Sequence, residues 1–402
     1  MDLTEFLAAA VLAAVFSVLA FGPLRASRAW RAMLTPLASI IGSGFLVSVP
    51  LVAGRIGLWA VPAMAALTGI AWLIGGAIRY NIRHGEARCA EAPRGHHIPS
   101  IETLSHLVLT GAYFISVAYY LVLLGSFLAK LAGIADPRFA ALIATGLVAA
   151  IALTGVVRGL EGVEKAERFT VSANLAAIAA LLAALGLFAA RLPEGYVWSD
   201  PGAAPEFDWD TLRFLMGLLI VVQGFETTRF MGSLYDAPTR ERAMKRAQGL
   251  SSAVYLVFFA LMIPLYPFFP QGADVAGVIE VIGRVSPVLP FVVAFGAIAS
   301  QFSAAVADSL GASGLVSDTT HGHVTPRHAY IAIGAVAVSV IWATDVTALV
   351  ALASRAFALF YALQCLVAML TAWERSERLR AVWHGALSLL CFGVAVAGIP
   401  AG

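Results

Sequence analysis

The sequence predicts an all-α polytopic membrane protein with about twelve transmembrane helices. Three observations carry this. The 402 residues are 60% hydrophobic and only 12% charged, with a mean hydropathy of +0.85, whereas a soluble domain carries about 25% charged residues. The apolar residues gather into twelve runs separated by short loops rich in Gly, Pro and charge. Lys and Arg are biased toward alternate loops, as they are when loops alternate across a bilayer. A helical span takes about 20 apolar residues, and lipid obliges the backbone to satisfy its own hydrogen bonds, which selects helices. A barrel would instead show alternating segments of about 10 residues.

The runs lie at about 5–22, 33–53, 57–79, 101–131, 138–157, 169–190, 212–234, 249–269, 287–315, 328–344, 346–371 and 383–400. The first follows Met1-Asp2-Leu3-Thr4-Glu5, which lacks the basic start and small-residue cleavage site of a signal peptide, so it reads as a retained span. The second holds Gly42-Ser43-Gly44, a poor helix former at mid-membrane. Two readings stand: a helix break lining a cavity, or a small-residue packing face. The fourth carries Tyr113, Ser116 and Tyr120 at i, i+3, i+7, on one face; aromatic residues also collect at membrane interfaces. The sixth holds Asn174. The seventh places Gly224-Phe225-Glu226 midway through an apolar stretch, where ionisable groups are functional by default. The alternative is a shorter span with Glu226 near the inner surface. The ninth carries Ser300, Ser303 and Asp308, and the eleventh Arg355.

With the N-terminus outside, the inner loops hold nineteen of the 26 Lys and Arg and the outer segments six. Arg355 sits within a span. The acidic residues divide eleven to eleven, leaving Glu226 and Asp308 inside spans. This is the positive-inside pattern, and it predicts a multi-pass protein of the cell (inner) membrane with both termini outside.

Composition and motifs exclude several classes. A net charge of +2 gives no global field for nucleic acid. Cys89, Cys365 and Cys391 have no CxxC spacing, so neither a disulfide framework nor a zinc site is expected. No HExxH, paired-Asp or GxxxxGK[ST] motif occurs, so neither a membrane enzyme nor a primary pump is expected. Channels need selectivity rings or pore loops, and none is visible. All eight histidines fall on the predicted inner side. His96-His97 with His106 lacks diagnostic metal spacing, and solvated loop histidines are the expectation. Asp200, Glu206, Asp208 and Asp210 make loop 191–211 acidic, and it reads as a solvated loop.

Leaving out the first span, the two unusual segments fall in core helices 1 and 6 of a ten-helix core whose halves have inverted topology. Paired interruptions of this kind point to a transporter's binding site. At these residues the chain resembles the amino acid–polyamine–organocation (APC) superfamily of transporters. Gly42-Ser43-Gly44-Phe45 is similar to the family's break in core helix 1. Gly224-Phe225-Glu226 with Asp236-Ala237-Pro238-Thr239-Arg240 looks like its core helix 6 and inner loop. Ser309, Asp318, Gly322 and Pro326 match the end of core helix 8 and the following loop. The resemblance covers about 30–372. It departs at Arg79-Tyr80-Asn81, where members often carry an acid, and at Leu310, where they carry Arg. Asn174 stands where some proton-coupled members have Lys.

The resemblance implies two inverted five-helix repeats, the LeuT-like fold. Residues 1–31 form an extra span and basic loop, 32–191 the first repeat, 192–372 the second and 373–402 a loop and final span. It implies a secondary active transporter, symporter or exchanger, of an amino acid or related small amine. A membrane-embedded substrate sensor, or a transporter of another solute, is the alternative. No cofactor or bound metal is expected, and the coupling ion is a proton or sodium. The partners are a small-molecule substrate and the lipid bilayer.

The substrate-binding candidates are Ile41, Gly42, Ser43, Gly44, Gln223, Gly224, Phe225, Glu226, Tyr113 and Tyr120. Freed amides at 42–44 suit a carboxylate, free carbonyls near Gln223–Glu226 suit an ammonium, and Phe225 is placed to close over the substrate. The coupling or gating candidates are Glu226, Asn174, Ser300, Ser303, Asp308 and Arg355. Ser300 and Ser303 with oxygens from Ile40, Ile41 and Ser43 would make a sodium site, although serines also pack helices. Arg355, about nine residues and 13 Å into its helix, is expected to face the interior and pair with Asp308, Glu226 or a substrate carboxylate.

Overall fold

The computed structural model describes residues 2–91, 97–134, 136–158, 161–192, 208–232, 234–269, 277–320 and 323–399. For Ser43, Asp318 and a few other helical residues it describes the backbone alone. The chain begins with α1 (Leu3–Phe21), where Asp2 and Glu5 close a capping box. Next come α2 (Arg28–Ile56) and α3 (Ala60–Tyr80). A π turn at Asn81–Gly85 leads α3 into the short α4 (Glu86–Glu91). Three long helices follow: α5 (His97–Leu131), α6 (Pro137–Arg158) and α7 (Glu161–Ala190). The seventh segment is interrupted: α8 (Trp209–Met216) gives way to 3₁₀ turns at Leu219–Val222 and Phe225–Met231. Beyond it lie α9 (Ala237–Met262), the short α10 (Gly277–Ile282) and α11 (Leu289–Thr319). The chain ends with α12 (Pro326–Ala343), α13 (Val346–Glu374) and α14 (Arg378–Ala397).

The protein is an all-α polytopic membrane protein. Among the described residues, nine helical runs are long and apolar enough to cross a membrane, and one of them, Arg28–Glu91, contains both α2 and α3. The shorter apolar run Arg327–Ala343 and the interrupted segment at 209–231 bring the crossing segments to the expected twelve. The additions are the π turn, α4 and α10, all at segment ends.

The helices pack in a definite order. α2 lies deep, against α9, α11 and the interrupted segment. α3 packs on α9, α5 on α11, and α6 on α12, while α13 leans on α5. The apolar core runs through all of them, with Leu37, Val52, Ile74, Leu121, Val221, Ala304 and Phe357 buried. α1 contacts α7 at the periphery and is largely exposed to the surroundings, and α14 covers α13. The starts of α2, α9 and α14 and the end of α3 carry the Arg-rich loops, so one end of the bundle is basic.

One expectation is corrected here. α2 is continuous through Gly42, Ser43 and Gly44. The break reading fails and the small-residue packing reading holds. A Cβ on Gly42 would lie 3.0 Å from Ala304 Cβ and 3.3 Å from Ser300 Oγ. A Cβ on Gly44 would lie 2.5 Å from Val221 Cβ. These glycines let α2 approach α11 and the interrupted segment. A glycine weakens a helix by only about 1 kcal/mol relative to Ala, less than the several kcal/mol that an unsatisfied backbone group costs in hydrocarbon.

This gives a paired test. Gly44→Ala should destabilise the protein by about 1–3 kcal/mol through overpacking. Gly111→Ala, where a Cβ meets nothing within 4 Å, should stabilise it by less than about 1 kcal/mol. Thermal unfolding in detergent reads both. Equal behaviour would sink the packing account.

Candidate functional site

The site is built around the interruption at 217–231. Gly224 sits at φ +112°, which a side chain tolerates poorly, and a Cβ there would lie 2.4 Å from Ser39 Oγ of α2. Gln223 is extended beside it. The freed backbone groups find side-chain partners from neighbouring helices. Ile220 N donates to Ser354 Oγ of α13 at 2.9 Å. The Tyr255 hydroxyl of α9 reaches Val221 O and lies 3.1 Å from Ile40 O. Thr227 Oγ1 donates to Gly224 O at 2.8 Å, and Gly224 N donates to Glu226 Oε2 at 2.9 Å. The backbone of the interruption is thus held by side chains of α13, of α9 and of the segment itself.

Glu226 is fully buried. Its Oε2 also accepts from the Tyr361 hydroxyl at 2.7 Å. Phe225 stacks on the Tyr361 ring, with centroids 5.1 Å apart and planes 13° from parallel. Tyr120 accepts from Gln223 Nε2 at 2.7 Å, which ties α5 to the interruption. Tyr113, also buried, sets its ring edge against Phe357 at 5.9 Å. Asp308 on α11 accepts from the Ser116 hydroxyl through Oδ2. Gln301 Nε2 donates to Gly42 O at 2.9 Å, and Asn174 Nδ2 donates to Ser300 Oγ at 3.0 Å.

The remaining polar atoms form a pattern. Ser39 Oγ, Glu226 Oε1, Gln301 Oε1, Ser303 Oγ and Asp308 Oδ1 are buried and have no hydrogen-bond partner among the described residues. All are oxygens, set on α2, the interruption and α11. No ion pair reaches Glu226 or Asp308 among the described residues. A buried polar atom without a partner costs about 1–3 kcal/mol, so these five oxygens are costly to bury.

Comparison with known proteins bears on what this site belongs to. A family model described as "APC superfamily transporter" matches residues 22–398. The chain belongs to the APC superfamily of transporters. It is also 37% identical, over 361 residues, to an uncharacterized protein of Aquifex aeolicus (strain VF5), covering 89% of this chain and 88% of the relative.

The structure brings some of the sequence-based candidates of this transporter together at the interruption and places others elsewhere. Ile41, Gly42 and Gly44 lie at the junction, but inside a continuous helix, so they present no freed amides. The Ser43 side chain lies outside the described residues, as do Asp200, Glu206, His96, His321 and Gly322 and the side chain of Asp318. Arg355 does not face the interior. It is exposed, and its Nε donates 2.8 Å to Ala395 O of α14, where its long side chain serves to hold the final helix rather than to neutralise a carboxylate. The histidines are not all solvated: His384 is buried on α14, and His106 contacts Glu102 at 2.9 Å. No group of three residues able to hold a metal occurs among the described residues.

One buried network escaped the sequence reading. Arg229 is buried at the basic end of the interruption. It donates at 2.6 Å to Gln364 Oε1 of α13 and at 2.6 Å to Glu102 Oε1 of α5. Gln364 Nε2 donates on to Glu102 Oε2 and Ser105 Oγ, and Asn81 Nδ2 donates to Gln364 O at 2.7 Å. Arg240 grips Glu86 through both oxygens and also reaches Arg229 O at 2.7 Å. The available signal was Arg229, three residues beyond Glu226 in the same apolar segment, with one acid early in α5.

Removing one member leaves a charge buried alone. Arg229→Met should therefore destabilise by about 3–5 kcal/mol, and adding Glu102→Leu should recover part of that loss. A double-mutant cycle on thermal unfolding measures it. Additive losses would show that the pair does not couple.

Proposed function

We propose that this transporter is a secondary active transporter of an amino acid or related small amine, working by alternating access. The carrying observation is the set of buried oxygens on α2, the interruption and α11 that have no partner among the described residues, two of them on the carboxyls of Glu226 and Asp308. Such a lining accepts hydrogen bonds and favours a donor with positive charge, which describes an ammonium group. Glu226 and Asp308 supply its charge, Ser39, Gln301 and Ser303 its remaining acceptors, and Tyr113, Tyr120 and Phe225 its aromatic wall, which suits a cation. The continuous α2 offers no matching nest for a carboxylate in this conformation, so amine recognition is the better-supported half.

The arrangement of helices supports the inverted-repeat reading. α3 with α9, α5 with α11 and α6 with α12 hold equivalent places in 32–191 and 192–372, and all three pairs pack together, as elements related by an in-plane two-fold do. The Arg229–Glu102–Gln364 and Arg240–Glu86 bonds tie α5, α13, α9 and the interruption together at the basic end. In this reading the basic end faces the cytoplasm of a cell membrane with both termini outside, the network keeps the inner path shut, and transport requires it to part. The coupling ion is a proton or sodium, and Ser303 stands beside the Asn174–Ser300 pair where sodium would enter.

The test is uptake into proteoliposomes of labelled amino acids and amines, together with thermal shifts in detergent. A ligand of the folded state raises the melting temperature by mass action. Amine-bearing compounds should stabilise and be taken up, and Asp308→Asn or Glu226→Gln should weaken both by about tenfold or more while the empty protein stays folded. Uptake of a solute without an amine, unaffected by either variant, would refute the proposal.

A further inference from the structure

We propose that the groove between α3, α9 and α14 at the basic end is a binding site for an anionic phospholipid, separate from the substrate site. The groove has a volume of about 350 Å³. Its polar wall carries Arg79, Arg83 and Arg380, and the one acid lining it is Glu241. Arg83 pairs with that acid, Nε to Oε1 at 2.9 Å. Arg380 bonds Glu377 at 2.8 Å. Arg79 has no ion pair among the described residues. It donates to the neutral Gln248 Oε1 at 2.5 Å and lies over the Trp72 ring, 5.2 Å from its centre. The groove therefore keeps a half-buried guanidinium whose hydrogen bonds go to neutral groups, Gln248 Oε1 and Trp72 O, with Glu241 its electrostatic partner.

A second observation points the same way. His384, 6% exposed, lines the same groove, and neither of its ring nitrogens has a hydrogen-bond partner among the described residues. A buried imidazole whose two nitrogens have no partner among the described residues, lining the same groove as Arg79, is half of an anion site. In either tautomer one nitrogen donates to an anionic oxygen.

The rest of the lining selects a lipid over a free anion. Trp72, Leu73 and Trp383 complete the groove, and Leu73 and Trp383 are 38% and 49% exposed. Leu379 and Val382, on the first turns of α14, are also exposed. Apolar and tryptophan side chains at the end of a spanning bundle mark the level where headgroup meets acyl chain. Basic pockets between transmembrane helices suit anionic headgroups. The phosphate would sit on Arg79, Arg380 and His384, with the chains lying along Leu73 and Trp383. Because α14 lies outside the ten-helix core, an occupant would pin α14 to α3 and α9 without touching the interruption.

The test is native mass spectrometry of the full-length protein in detergent, titrated with phosphatidylglycerol, with phosphatidylcholine and with inorganic phosphate. One phosphatidylglycerol should be retained in preference to phosphatidylcholine. Arg380→Gln, at an exposed position, should weaken that retention several-fold, and Arg79→Gln with Arg380→Gln by about tenfold or more. Arg31→Gln, at an exposed basic position outside the groove, should leave it unchanged. Melting temperatures without lipid verify that each variant is folded. Equal retention of both lipids, equal weakening by Arg31→Gln, or competition by phosphate alone at matched concentration would each overturn the proposal.

Discussion

A bilayer does not hydrate backbone groups, so any departure from helix must be satisfied by protein atoms. The structure of this transporter turns on how that constraint is met in one segment. Between Gly217 and Met231 the regular ladder is lost, and Ser354, Tyr255, Thr227 and Glu226 supply the missing partners. Those residues come from α13, α9 and the segment itself, while α2 presses against it through Gly44 and Ser39. The interruption is therefore where several helices are obliged to meet.

Meeting that constraint leaves the charges unevenly matched. Glu226 and Arg229 stand three residues apart in one 3₁₀ turn, yet they do not pair. Arg229 is committed to Glu102 and Gln364, and Glu226 to Tyr361 and Gly224. Among the described residues, Asp308 bonds only Ser116. Positive charge is thus concentrated at the basic end and acceptors at the middle. In the proposed function the first keeps the inner path shut and the second receives the substrate's donor. Separating these two roles within seven residues is possible because the 3₁₀ turn and the left-handed Gly224 aim successive side chains at different helices.

Much of this was legible in the sequence because it rests on one-dimensional signals. Twelve apolar runs and the loop charges located the spans, and Gly224 beside a carboxylate located the interruption. Gly42-Ser43-Gly44 misled, because glycine loosens a helix and also lets helices touch, and only the neighbours Ala304 and Val221 decide between the two. Arg355 misled because depth along a helix does not give its azimuth, and its face looks toward α14. Arg229 in an apolar segment was a signal, but its pairing with Glu102 and Gln364 was not legible, because they lie 127 and 135 residues from it in sequence. No local pattern marks two charges that will be neighbours only after folding.

The central claim is that the interruption is the element a cationic substrate completes. Hydrogen–deuterium exchange of the purified protein addresses it directly, comparing peptides across 217–231 with and without the most stabilising amine of a screened panel. The account predicts slowed exchange in 217–226 and in the part of α11 around Gln301–Asp308, with the protection lost in Asp308→Asn. Protection confined to other helices, or none across 217–226 at a saturating concentration, would contradict it.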